Sequence, residues 1–248
     1  MISQKWSKLI KSLHLKKFRK AEQLFFVEGE KAVLEVLASG WSVKAIFATA
    51  EFLQQYPAAA AVAVCQSCSA SELEQVGTFV SNNAALAVVA LPAYPPFAEQ
   101  PGEWVLVLDQ INDPGNLGTI IRVADWYGIR HILCSTDTVD AFNPKVIASA
   151  KGSFLRVQLH YQPLLEVLAQ VQQPIYGAYL GGESVHQLQL DSVGGFIVLG
   201  NEANGISAEL TTVVSRRLTI PAFGNAESLN VGIASAVLLD NLRRLSSR

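Results

Sequence analysis

The six residues Trp104-Val105-Leu106-Val107-Leu108-Asp109 constrain this chain more than any other stretch. Five consecutive apolar residues leave no polar face. A strand of that kind must be covered on both sides, as strands are in parallel sheets flanked by helices. The following residues keep to that plan. A polar loop at 110–115 leads into a helix over 116–127, closed by Gly128. A strand is predicted at 130–134. Asn143-Pro144 caps a helix, with proline at its first position. Further strands are predicted at 155–160, 175–180, 196–199 and 217–220, with a helix at 163–171. Strands alternating with helices predict an α/β fold: a mostly parallel sheet with helices on both faces. In such sheets ligands bind beyond the carboxyl ends of the strands.

The residues before this unit read differently. Over 2–18, basic and apolar residues alternate at helical spacing (Trp6, Leu9, Ile10, Leu13). Phe25-Phe26-Val27-Glu28-Gly29 is a short strand ending at a glycine. An amphipathic helix at 30–38 stops at Ser39-Gly40. Strands are predicted at 43–48, 61–65 and 85–91, and a helix at 71–76 with Ser69 or Ser71 near its cap. Residues 1–91 thus form a small α/β domain. Pro92, Pro95, Pro96, Pro101 and Gly102 stiffen the chain, so 92–103 is a linker and 104–248 a second domain.

Composition excludes several classes. Half of the 248 residues are hydrophobic, enough for a sizeable core, and the net charge of -2 argues against a chain basic throughout. Yet Lys5, Lys8, Lys11, Lys16, Lys17, Arg19 and Lys20 fall in the first twenty residues with no acid among them. Such a cluster faces a polyanion or forms a solvated helix face. No continuous apolar core follows the basic start, as a signal peptide requires, and the apolar run 229–239 is too short to span a bilayer. Three cysteines fit a reducing cytoplasm. Cys65-Gln66-Ser67-Cys68 lacks two further zinc ligands nearby, and no other metal-ligand cluster is visible.

Three loops carry the chemistry. The first, 113–122, follows a strand and opens a helix; Asn116 and Arg122 lie six positions apart on it. Arg122 sits between Ile121 and Val123, where a charge needs a partner or an anionic ligand. The second, Gly200-Asn201-Glu202-Ala203-Asn204-Gly205, also follows a strand. It lacks the Gly-Lys-Ser/Thr ending of a phosphate loop, and no G-x-G-x-x-G opens either domain. The third runs from Ile220-Pro221 through Ser228-Leu229-Asn230-Val231 into an apolar helix, whose start presents free N–H groups.

In this order the loops resemble the three signature motifs of the SpoU (TrmH) family of RNA ribose 2'-O-methyltransferases. Asn116, Gly118 and Arg122 match the first motif. Gly200, Glu202 and Gly205 match the second. Ile220, Pro221, Ser228, Leu229, Asn230, Val231 and Ala234 match the third. Gly232 stands where many members have serine. Residues 1–91 resemble the family's N-terminal substrate-binding domain, with Phe25-Phe26-Val27-Glu28-Gly29 as a recurrent feature. The resemblance implies a trefoil-knotted catalytic domain, S-adenosylmethionine as methyl donor, no metal, an RNA substrate and a homodimer through the catalytic domain. It implies donor contacts at Leu180, Leu199, Gly200, Asn201, Ile220, Ser228 and Leu229. Catalysis falls to Arg122, with Asn116, Ser228 and Asn230 orienting the ribose or the arginine and Glu202 as a further member of the site. The basic N-terminal residues and Arg122 hold phosphates. Arg122 either holds the adjacent phosphate and stabilises the forming alkoxide or acts as a perturbed base; its high pKa favours the first. Glu202 either organises its loop or helps with the proton. Ribosomal RNA fits an added N-terminal domain better than tRNA does. A catalytically inactive RNA-binding protein on the same fold is the alternative.

Overall fold

The computed structural model describes residues 1–190 and 193–246. It divides into two compact units, one of Met1–Tyr94 with Phe142–Leu155 and one of Pro95–Ala141 with Arg156–Arg248.

The first unit begins with α1 (Gln4–Ser12) and α2 (Lys16–Glu22), where the sequence predicts one helix. The break at residues 13–15 is stabilised by Arg19, whose guanidinium donates to the Leu13 carbonyl at 2.7 Å. There follow β1 (Leu24–Glu28), α3 (Glu30–Ala38), β2 (Val43–Ala48), α4 (Ala50–Gln55), β3 (Cys65–Ser67), α5 (Ala70–Val76) and β4 (Ala85–Ala90). The sheet order is β1-β4-β2-β3, antiparallel except for the β2–β3 pair. Residues 57–61, of the alanine-rich tract, form a 3-10 turn opened by Pro57, so the strand starts only at Cys65. Proline and alanine favour a helical turn over extension. The α5 cap is Ser69, in a reciprocal capping box with Glu72; such a cap contributes about 1 kcal/mol. Glu72 also accepts from the Ile2 N–H at 2.8 Å, and these backbone bonds lower its pKa.

The second unit contains β5 (Trp104–Leu108), α6 (Pro114–Trp126) and β6 (His131–Cys134). The next helix, α7 (Pro144–Ala150), lies in the segment that clusters with the first unit. Phe142 and Phe154 flank this helix, and their ring centroids lie 4.8 and 6.1 Å from that of Phe25. The chain continues through β7 (Gln158–Tyr161), α8 (Leu164–Leu168), β8 (Ile175–Ser184), β9 (Gly195–Leu199), α9 (Ala208–Thr211), β10 (Arg216–Thr219) and α10 (Val231–Ser246). The sheet runs β10-β8-β9-β5-β6-β7 with every pair parallel. All five residues of β5 and of β9 are buried, as a doubly covered centre requires.

α6 is capped at Asp113, whose Oδ1 accepts from the Asn116 N–H at 2.8 Å. It ends at Gly128, which takes φ +67°. Arg243 on α10 donates to the carbonyls of Tyr127 and Gly128, at 2.7 and 3.1 Å. At the other end of this helix pair, a Cβ on Gly232 would lie 2.9 Å from Thr119 Cγ2. The two helices therefore approach closely because residue 232 has no side chain.

Candidate active site

The three loops meet at the carboxyl ends of the parallel strands. After β9 the chain turns at Gly200 and closes on itself. Asn201 and Gly205 exchange both backbone hydrogen bonds, at 3.0 and 2.8 Å. A Cβ on Gly200 would fall 2.1 Å from the Gly205 carbonyl carbon and 2.2 Å from the Ile206 nitrogen, so only glycine fits under this loop. Asn201 holds the loop from within. Its Oδ1 accepts from the N–H groups of Ala203 and Asn204, and its Nδ2 donates to the Gln110 carbonyl at 2.8 Å. The side chain and the backbone of Asn201 are thus both engaged in holding the loop. The buried Asp109 at the end of β5 accepts from the Ser207 N–H at 2.7 Å.

This closed loop presents Glu202 outward, where its carboxylate accepts from Asn116 Nδ2. Asn116 Oδ1 in turn accepts from Asn230 Nδ2 at 2.8 Å. Asn230 Oδ1 accepts from the N–H groups of Gly232 and Ile233, at 2.9 and 3.3 Å, and so caps α10. The carboxylate can only accept, so it fixes the Asn116 amide; that amide fixes Asn230, and Asn230 fixes the helix start. One residue from each loop joins in a single directed chain.

Arg122 stands apart from this chain. The sequence places it in an apolar helix where it needs a partner, but the structure exposes its side chain to solvent. Six residues at 1.5 Å rise separate it from Asn116 by about 9 Å along α6, and 600° of turn puts it on another side. Within one chain the guanidinium and the Asn116–Glu202–Asn230 network do not converge. Trp126, one turn further on, is 84% exposed, a feature that sequence does not reveal.

The residues expected to touch a methyl donor lie on three neighbouring strands. Leu180 belongs to β8, Leu199 and Gly200 end β9, and Ile220 follows β10. The β8–β10 register jumps: Arg217 pairs with Gly177, but Leu218 pairs with Glu183. Residues 178–182 therefore bulge outward and leave Leu180 81% exposed. Gly182 fits this bulge against the Arg217 carbonyl, 2.5 Å from where its Cβ would be, and Thr219 Oγ1 donates to the Leu180 carbonyl at 3.1 Å. Ser228 and Leu229 lie in an exposed stretch, 222–229, which forms no backbone–backbone hydrogen bond among the described residues. Exposed apolar side chains beside open backbone donors and acceptors suit an adenine edge and a thioether-like chain.

The basic N-terminal residues divide. Lys5, Lys8, Lys11, Lys16, Lys17 and Lys20 are exposed on α1 and α2. Arg19 corrects the sequence reading: it is 2% exposed and donates to a helix carbonyl, so it does not face a phosphate. The three cysteines are free, and burial pushes the Cys68 thiol up to about 11, away from thiolate chemistry. Among the described residues no group of three or more His, Cys, Asp or Glu could hold a metal ion, and no helix is long and apolar enough to cross a membrane.

Residues 103–240 match the model of the SpoU rRNA Methylase family, and residues 7–87 match the MRM3-like substrate binding domain. The chain is 31% identical, over 94% of each sequence, to the 23S rRNA (guanosine(2553)-2'-O)-methyltransferase RlmP of Bacillus subtilis. It superposes with a TM-score of 0.85 on a putative RNA methyltransferase of the TrmH family from Porphyromonas gingivalis, 36% identical, covering 98% of this chain and 99% of that one. An AdoMet-bound rRNA methyltransferase from Sinorhizobium meliloti is 25% identical with a TM-score of 0.87, covering 98% and 97%.

Proposed function

Because the chain belongs to the SpoU rRNA methylase family, we propose that it transfers the methyl group of S-adenosylmethionine to a ribose 2'-hydroxyl of ribosomal RNA. The observation that carries this reading is the directed chain Glu202–Asn116–Asn230, which joins one residue of each motif beside the strand ends. Ribosomal RNA is favoured over tRNA by the full-length likeness to an enzyme named for 23S rRNA.

The donor supplies an electrophilic methyl carbon on a sulfonium. The 2'-oxygen attacks in line, the C–S bond breaks as the C–O bond forms, and the hydroxyl proton leaves to solvent or a carboxylate. The protein has to position the oxygen and stabilise its developing charge. Leu180, Leu199, Gly200, Ile220, Ser228 and Leu229 would hold the donor, with the open backbone at 222–229 reading its adenine edge. Asn116 and Asn230 would orient the ribose, and Glu202 keeps both amides in register. Arg122 would hold the neighbouring phosphate and the forming alkoxide.

Arg122 lies on the wrong side of α6 to reach the network of its own chain. We therefore read the working unit as a homodimer through the second unit, in which Arg122 completes the site of another copy. The exposed Trp126 on α6 and Ile233 on α10 fit a covered face. The division of labour follows: residues 1–91 bind RNA through the exposed lysines, 92–103 link, and 104–248 catalyse as a trefoil knot in the cytoplasm.

The test is to incubate the full chain with unmodified 23S rRNA transcript and S-adenosylmethionine, and to read ribose methylation by mass spectrometry. Arg122→Ala should keep donor binding in calorimetry and lower kcat about 10²- to 10³-fold, the usual loss for a charge-stabilising donor. Donor binding without methylation of any rRNA would favour an inactive RNA-binding protein.

A further inference from the structure

The motif Phe25-Phe26-Val27-Glu28-Gly29 is unused by the chemistry above, yet the first unit is built tightly around it. Both oxygens of Glu28 accept from the Thr78 N–H at 3.0 Å, the Thr78 hydroxyl also donates to it, and the Phe79 N–H lies at 3.4 Å. A Cβ on Gly77 would fall 2.1 Å from Glu28 Oε2, and one on Gly29 would fall 3.2 Å from Phe79 Cε2. Two glycines and one carboxylate thus fix the position of the Phe79 ring. That ring lines a cavity of about 230 Å³ together with Pro144, Ile147 and Ala148. Lys31 and Lys151 also line it, and both are exposed. Among the described residues Lys31 pairs with Glu35 at 3.9 Å. The two acids lining the cavity accept hydrogen bonds: Glu28 as above, and Glu30 from the Tyr56 hydroxyl at 2.7 Å.

We propose that this cavity takes one unstacked nucleotide of the RNA substrate, its base against Phe79 and its phosphate between Lys31 and Lys151. This rests on the RNA-modifying reading and names a contact within it. An aromatic wall with lysines around it is the chemistry that holds an extruded base, since bases stack on aromatic side chains and lysines take the phosphate. The volume lies below the ~300–1,000 Å³ of drug-sized pockets, which suits one base and excludes a stacked pair. The first N–H groups of α3 have no side-chain cap and add donors for a base carbonyl. Stacking without a fixed set of side-chain hydrogen bonds makes the pocket tolerant of base identity.

The experiment uses the full chain and a 23S rRNA transcript, with binding measured against salt concentration. Phe79→Ala should weaken binding about tenfold, and Phe79→Tyr should restore it. Lys151→Ala should weaken binding and lower the salt slope by about one, as loss of one phosphate contact does. Ala148→Trp, which fills the cavity from its rim, should match Phe79→Ala and abolish the saturation-transfer NMR signal of adenosine and uridine 5'-monophosphates. RNA binding within twofold of wild type in both Phe79→Ala and Ala148→Trp would overturn the proposal. So would inorganic phosphate displacing the nucleotides as well as they displace each other. S-adenosylmethionine binding, measured on the same samples, separates this result from the methyltransferase reading, because the donor residues belong to the other unit.

Discussion

Glu28 and Glu202 invite comparison. Each stands at or just beyond the end of a strand, with Gly29 next to Glu28 and Gly200 two residues before Glu202, yet they are treated in opposite ways. Glu28 is 7% exposed, and its oxygens accept from two backbone N–H groups and a hydroxyl. Glu202 is exposed and accepts from a single side-chain amide. A carboxylate with every lone pair occupied is scaffolding. One with spare acceptor capacity, aimed at a network shared by three loops, is available to a ligand. The sequence shows both as a Glu near a strand end; the number and kind of their donors separates them.

Substitutions can break or sharpen this contrast. The largest effect is expected for Glu28→Ala, which strands the Thr78 and Phe79 donors and should cost about 3 kcal/mol in urea unfolding. A cost near zero would end the distinction. Gly200→Ala should come next, at about 1–3 kcal/mol, because its methyl meets backbone that must shift. Calorimetry should then show weaker S-adenosylmethionine binding as well. Glu202→Ala should change stability by less than about 0.5 kcal/mol, as exposed substitutions do, while methylation falls at least tenfold. If instead Glu202→Ala unfolds the chain, both carboxylates are structural.

The smallest effect concerns pH. His131 Nδ1 lies 3.2 Å from His160 Nε2. Burial lowers both pKa values; their mutual charge lowers His160 further, while Glu103 opposes and Arg130 assists the shift at His131. The unfolded imidazoles take up protons near the ordinary value of about 6.5, where the folded ones still refuse them. Stability should therefore fall as pH drops through about 6.5 and level off below the folded values. His131→Gln should flatten that slope in thermal melts across pH 5–8.

Much of the fold was legible because it rests on local pattern. The unbroken apolar run at 104–108 announced a central parallel strand, and Asn143-Pro144 announced a capped helix. What escaped depends on partners far along the chain. Arg19 reads as one more surface cation until a carbonyl six residues earlier claims it. The cavity wall at Phe79 depends on Glu28, 51 residues away. Segment 142–155 clusters with residues it does not adjoin in sequence, through ring contacts that no periodicity encodes. The motifs singled out Asn116, Glu202 and Asn230, which hydrogen bonds join in the structure because each sits at a strand end or helix start. They could not show that Arg122 faces elsewhere, since a helix side is set by what packs against it.

The crossing of α6 and α10 at Thr119 and Gly232 makes those two positions one unit of bulk. A hydroxymethyl gained at 232 has to be matched by atoms lost at 119, or the amide of Asn230, at 3.2 Å from the same point, gives way instead. Substitutions there are expected to arise as compensated pairs, and either one examined by itself will look harmful when the pair is neutral.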